Sequence, residues 1–248
     1  MQATLAVELR QKALEWGVDL LGFAPVERFT RFPLEHRPAT TLAEARTVIV
    51  LALHMVDPLL DLWLHAPPTT GAGRTSTGRA FEDEIMRSVC YRLVLFLERR
   101  GFRSEVAGYE PGIYLKDAAI LAGLGAIGRN NLLVTPQFGP RVRLRAVVTA
   151  AEIAPSRLMN IKPCPETCDR CIQACPVKAL EGGRFNRERC LTSPLHRRPL
   201  SPAVELWCNE CANVCPVGIR APGEDTLQLK VTTSASTGTR GQSEQLPG

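Results

Sequence analysis

Apolar positions along the first 155 residues follow two periods that alternate along the chain. Residues 4–16 place Leu5, Leu9, Ala13 and Trp16 on one helical face, and Gly17 marks the stop. Val18 to Ala24 reads as a strand ended by Pro25. Thr47 to Met55 (TVIVLALHM) is almost uniformly apolar and predicts a central strand buried on both faces. Phe81 to Arg100 is the clearest helix, with Phe81, Ile85, Val89, Leu93 and Leu97 as its stripe and Gly101 as its stop. Arg103 to Ala107 predicts a short strand, 114–122 a helix, and 141–149 (RVRLRAVVT) a strand with an alternating first half. Helices interleaved with strands imply an α/β layer fold through about residue 155.

The pattern is interrupted twice. Residues 57–79 contain Pro-Pro, Gly-Ala-Gly and Ser-Thr-Gly, the composition of a long loop, and a loop of that length serves as a lid or binding loop. From 160 to 220 regular apolar periodicity is sparse, as expected where metal rather than an apolar core holds the chain. Residues 221–248 are rich in Gly, Ser, Thr and Gln and read as a disordered tail. The expected organisation is an α/β domain over 1–155, a second domain over 156–220 and a tail over 221–248.

Composition excludes some classes. The chain has 248 residues, 45% hydrophobic and 22% charged, values of a soluble globular protein. No apolar run reaches the roughly 20 residues of a membrane helix. The first residues, MQATLAVELRQ, carry charge where a signal peptide needs its apolar stretch. A cytoplasmic protein without a membrane partner is expected.

Cysteine changes the picture. Of nine cysteines, eight lie between Cys164 and Cys215. Clustered cysteines in a reducing compartment read as metal ligands. The first run is Cys164-Pro-Glu-Thr-Cys168-Asp-Arg-Cys171-Ile-Gln-Ala-Cys175-Pro176, and the second is Cys208-Asn-Glu-Cys211-Ala-Asn-Val-Cys215-Pro216. Both end in the C-x2-C-x3-C-P spacing of bacterial-type ferredoxins, in which the cysteine before proline reaches across to the neighbouring cluster. Two [4Fe–4S] clusters need eight thiolates. The runs supply seven, and Cys190 is the eighth. The spacing assigns Cys164, Cys168, Cys171 and Cys215 to one cluster and Cys190, Cys208, Cys211 and Cys175 to the other. Zinc also takes C-x2-C pairs, but the doubled run is ferredoxin-like. Cys90, on the predicted helix, reads as a core thiol. The formal charge of +5 carries little weight for nucleic acid, because two oxidised cubanes at about −2 each would lower it to about +1.

Gly123-Leu-Gly125-Ala-Ile-Gly128 fits G-x-G-x-x-G, yet a helical segment precedes it and no acidic residue follows about 20 positions on, so NAD binding is not expected. The glycines mark a turn where backbone approaches something closely.

The block LAGLGAIGRNNLLVTPQFGPRVRL, followed by the double-cluster cysteines, resembles the epoxyqueuosine reductase family, whose members are related to reductive dehalogenases. Ala45 to Leu53 is similar to the first half of the family, and the resemblance covers roughly residues 15–218. It implies a flavin-reductase-like, cobalamin-binding α/β layer domain followed by a bacterial ferredoxin-like double-cluster domain. The clusters would pass electrons to cobalamin, which reduces the substrate. The D-x-H-x-x-G pattern is absent at His36, His54, His65 and His196, so no histidine would lie below the cobalt, and the resemblance implies base-off cobalamin.

The resemblance places Gly123, Gly125, Gly128, Arg129, Asn130 and Asn131 at the corrin. The family's proton-donor position, thirteen residues before Ala122, falls on Tyr109, with Glu110 adjacent. The chain is a short form without the family's C-terminal helical repeats, which help to hold tRNA. Expected partners are a low-potential donor such as ferredoxin or flavodoxin and a small-molecule or modified-nucleoside substrate. The alternative is an electron carrier or reductive activator of a corrinoid protein. A dehalogenase is disfavoured by the lack of an N-terminal twin-arginine signal.

Overall fold

The computed structural model describes residues 2–56, 58–64, 79–108 and 112–218. The helices are α1 (Gln2–Glu15), α2 (Phe81–Glu98), α3 (Leu115–Leu121), α4 (Arg170–Gln173), α5 (Arg187–Thr192) and α6 (Glu210–Asn213). The strands are β1 (Leu20–Pro25), β2 (Thr47–His54), β3 (Leu62–Leu64), β4 (Arg79–Ala80), β5 (Ser104–Val106), β6 (Ala126–Ile127), β7 (Leu133–Val134), β8 (Val142–Thr149), β9 (Arg197–Ser201) and β10 (Val204–Trp207).

The main sheet runs β1-β2-β8-β5, and every pairing in it is antiparallel. Alternation along β2 divides the core. Ile49, Leu51 and Leu53 join Leu9 and Ala13 of α1 and Val89, Leu93 and Leu97 of α2 on one face. Val48, Val50 and Ala52 join Ala118 and Ala119 of α3 on the other. Helices on both faces explain why β2 is apolar throughout although the sheet is antiparallel, the arrangement in which one face is commonly solvated.

The stripe on α2 differs from the expected one at its start. Phe81 is 48% exposed and Ile85 38%, whereas Glu82 and Met86 are buried. A strict spacing of four advances about 40° per step around a helix of 3.6 residues per turn, so it drifts off the core face. The buried line runs through residues 82, 86, 89, 90, 93 and 97. Glu82 enters with it, near Arg143 of β8, its Oε1 4.0 Å from Arg143 Nε.

A second sheet, β4-β3-β10-β9, joins both halves of the sequence. Strand β3 lies within the stretch expected as loop and pairs antiparallel with β10 of the cysteine region. Residues 65–78 of that stretch lie outside the described residues. The rings of Trp63 and Trp207 stack across the pair at 4.1 Å. Asp61, just before β3, is buried and accepts from both Arg143 and Asn209. Among the described residues no helix is long and apolar enough to cross a membrane.

Candidate iron–sulfur site

The two cysteine runs fold alike. In the first, the N–H groups of Ile172 and Gln173 donate to the carbonyl of Asp169, opening α4. In the second, those of Ala212 and Asn213 donate to the carbonyl of Asn209, opening α6. Asp169 (φ −128°, ψ 9°) and Asn209 (φ −123°, ψ 16°) share one backbone conformation. Each chain then leaves through a Cys-Pro pair, where the fixed φ of proline and its missing N–H end the helix.

Electrostatic coupling links cysteines of the two runs, and Cys211 feels thiols of both. Burial pushes the Cys171 thiol up, and Cys164, Cys168 and Cys215 push it further. Cys190 is raised by burial and then by Cys175 and Cys208. Burial pushes Cys211 up to about 12, with Cys208, Cys171, Cys190 and Cys175 adding to it. Cys215 is raised by burial, and among its neighbours Cys164 and Cys168 also raise it. Cys215 of the second run thus acts with the first, while Cys175 of the first run and Cys190 from between the runs act with the second. Repulsion among like thiolates is what an iron core would reverse.

A cavity of about 430 Å³, counted with its open mouth, is lined by Cys175, Cys190, Cys208 and Cys211 together with Asn130 and His196. Its remaining lining is mainly apolar, including Val177, Leu180, Phe185 and Leu195. Backbone N–H groups point at two sulfurs: Arg129 N to Cys164 Sγ and Ala179 N to Cys175 Sγ, each at 3.3 Å. Such donors stabilise negative charge on sulfur. Among the described residues no three His, Cys, Asp or Glu side chains close around a single ion. Ligands of one zinc would stand about 4 Å apart, given Zn–S of about 2.3 Å. A cubane holds its thiolates farther apart, and eight cysteines with ferredoxin-type spacing are a donor set that fits two of them.

No family model matches the chain. It is 36% identical over 250 residues to epoxyqueuosine reductase of Lactococcus garvieae (strain Lg2), covering 86% of this chain and 69% of that one. The chain belongs to the epoxyqueuosine reductase family. It is also 36% identical over 163 residues to tetrachloroethene reductive dehalogenase of Desulfitobacterium hafniense, covering 56% of this chain but only 28% of that protein. A crystal structure of an epoxyqueuosine reductase with an epoxyqueuosine-modified tRNA-Tyr stem loop superposes with a TM-score of 0.64 at 21% identity. That match covers 91% of this chain and 67% of the other, and it shows the common fold.

In this chain, the segment that the resemblance places at the corrin sits at the junction of the cysteine loops. A Cβ on Gly123 would collide with the carbonyl of Arg157, and one on Gly125 with that of Val134. One on Gly128 would crowd Val134 Cγ2 and Asn130 Oδ1, with Cys164 Sγ next beyond. The close approach that needs these glycines is therefore made by the chain itself. Arg129 donates to the carbonyls of Cys168 (2.8 Å) and Glu166 (2.5 Å). Asn130 is buried and its Nδ2 donates to the carbonyl of Cys211 at 3.4 Å. Asn131 has φ +57°, and its carbonyl accepts from Lys116 Nζ. Arg129 and Asn130 thus tie one cysteine run each. Tyr109 and Glu110 lie outside the described residues.

Sequence reasoning passed over Arg141, whose guanidinium lies 3.2 Å from the carbonyl of Ala212 and 3.5 Å from those of Cys215 and Val217. The only signal for it was position: it precedes a strand whose far face is apolar. His196 carries no sequence signal beyond its failure to fit the cobalt-ligating pattern. Cys90 is fully buried in the α1/α2 core, away from the other eight.

Proposed function

We propose that the chain is an iron–sulfur reductase that works with cobalamin. Cys164, Cys168, Cys171 and Cys215 hold one [4Fe–4S] cluster, and Cys190, Cys208, Cys211 and Cys175 hold the other. The observation that carries the reading is the crossing of the runs: Cys215 couples with the first run, and Cys175 with Cys190 and the second. A loop binding one ion needs no such exchange, whereas two adjacent ferredoxin-type cubanes do. The chain's own contribution is to fix both loops through Arg129, Asn130 and Arg141, to point N–H groups at sulfur, and to surround one group of four with apolar side chains.

Cobalamin, when bound, would supply the reductive chemistry at the substrate, while the clusters carry single electrons to it. Its support is family membership. We assign it to the α/β domain over 1–155, beside the cluster domain over 156–220, with the Gly123–Asn131 segment meeting it through backbone groups. Tyr109 or Glu110 is the assigned proton donor. The substrate is a small molecule or modified nucleoside. An epoxyqueuosine-bearing tRNA stem loop is the first to test, given what the solved relative holds. Electrons come from a cytoplasmic low-potential ferredoxin or flavodoxin.

Anaerobic iron and sulfide analysis tests the cluster part. About eight of each per chain is expected, and about four would sink the two-cluster reading. Titration with cob(II)alamin tests the rest. A holoprotein with both clusters but no spectral response puts the electron-carrier reading in front, which the internal engagement of the Arg129 and Asn130 side chains favours.

A further inference from the structure

The cavity around Cys175, Cys190, Cys208 and Cys211 carries a ring that the cysteine spacing does not call for. His196 is 9% exposed and lines that cavity. Its Nδ1 lies 3.8 Å from Cys190 Sγ. Its Nε2 is buried without a hydrogen-bond partner. The backbone fixes it from both sides. His196 N donates to the carbonyl of Ser193 at 2.9 Å, and Cys208 N donates to the carbonyl of His196 at 2.8 Å. One residue thereby holds the backbone of Cys208 and turns its ring toward Cys190. Trp207 backs the ring at 5.1 Å between centroids and is itself stacked on Trp63, so the imidazole has little room to swing away.

We propose that His196 is a positioning residue for the cluster held by Cys175, Cys190, Cys208 and Cys211, donating a hydrogen bond from Nδ1–H to Cys190 Sγ. The inference rests on the two-cluster reading above. An iron-bound thiolate only accepts, so the ring nitrogen that faces it carries the proton. Donation to a ligand sulfur stabilises the more negative, reduced cluster and raises its reduction potential. It also aims Cys190, the one ligand outside both runs, which no short-range spacing orients. His196 is thus for Cys190 what the N–H groups of Arg129 and Ala179 are for Cys164 and Cys175.

The test uses the full chain with clusters reconstituted anaerobically. Iron content is read first. A wild-type protein without iron overturns the cluster reading and this inference with it. With about eight irons bound, EPR-monitored redox titration compares three proteins. His196→Leu should disfavour reduction of one cluster by about tenfold, about 59 mV for one electron, and leave the other unchanged. His196→Asn, whose amide Nδ2 can stand where the ring Nδ1 stands, should recover most of that shift. Two unchanged potentials in the leucine variant, or an asparagine variant shifted as far as leucine, would overturn the proposal while leaving the clusters in place. If the leucine variant loses its iron, the wild type decides. With ¹⁵N-labelled histidine, pulsed EPR of the reduced protein should show a weak nitrogen coupling through the hydrogen bond. No coupling, or the strong coupling of an iron-bound imidazole, rejects it.

Discussion

The two regions of this molecule are held together by different physics. Around β1, β2 and β8 the chain buries apolar side chains on both faces of a sheet, and Phe23, Ile49, Leu51, Leu93 and Leu97 are all fully or almost fully buried. Between residues 156 and 218 the buried apolar side chains are few and small: Cys171, Ala179, Leu180, Ala212, Cys215 and Val217. Strand β9 is exposed along its whole length. Apolar burial at about 25 cal/mol per Å² supports the first region and cannot alone support the second. Its cohesion comes from Arg129, Asn130 and Arg141 gripping its carbonyls, from β3 pairing with β10 and, on the function proposed above, from iron held by the eight cysteines. A ligand-held region can keep its donors aligned without a large core, at the cost of depending on the ligand.

Iron removal should break the comparison most visibly. After anaerobic chelation, amides over 160–216 should lose protection in hydrogen exchange by orders of magnitude, while those of β1, β2 and β8 keep theirs. Equal loss in both regions would mean that the β3–β10 sheet couples them into one cooperative unit.

The reverse experiment acts on the apolar region. Leu93 is fully buried between α1 and the sheet. Leu93→Ala should cost about 2–5 kcal/mol in urea unfolding. The folded variant should keep the same iron per chain as wild type, and a loss of iron in proportion to stability would contradict the division.

These two regions were also unequally legible in the sequence. The helices against the main sheet could be read from apolar periodicity, because one buried face imposes one period, and β2 from an unbroken apolar run, because both its faces are buried. The slip came at Phe81 and Ile85, where a spacing of four was followed past the point at which the helix turns it out of the core. The two cysteine runs stood out for a different reason: their spacing is a local pattern that needs no distant partner to be read. The second sheet was not legible, since three-residue strands such as Leu62–Leu64 carry too few alternations to register. Neither were the roles of Arg129 and His196, which depend on partners 35 or more residues away for the first and on a short, irregular turn after Cys190 for the second.

A smaller effect sharpens the account of what grips the cysteine loops. The guanidinium of Arg129 spans the carbonyls of Cys168 and Glu166, but it is exposed and solvent screens it. Arg129→Ala should speed iron release to a chelator by about tenfold, about 1.4 kcal/mol, and leave the urea midpoint of the α/β region nearly unchanged. Arg129→Lys should not restore retention, because one ammonium cannot reach both carbonyls in the planar fork. Full retention in the lysine variant would show that charge alone, not the fork, does the holding.

The smallest effect separates the ninth cysteine from the other eight. Cys90 is fully buried on α2, and burial pushes its thiol up to about 12. Cys90→Ala should leave iron content unchanged and cost about 1 kcal/mol near neutral pH through the lost packing. The sign of its pH dependence follows from the raised value. In the unfolded chain the thiol ionises near 8.5, whereas the folded chain keeps its proton until about 12. The unfolded state therefore holds fewer protons between those values. The contribution of Cys90 is complete below about 8.5 and falls as pH rises toward 12, with a slope approaching about 1.4 kcal/mol per unit. The alanine variant lacks that slope, and every other titrating group is common to both proteins, so it cancels in their difference. The variant should be less stable than wild type at pH 7.5, level with it about one unit above 8.5, and more stable beyond. A stability gap that stays constant from pH 7.5 to 10 would mean that the Cys90 thiol ionises as freely folded as unfolded, and that it does not belong to the dry core.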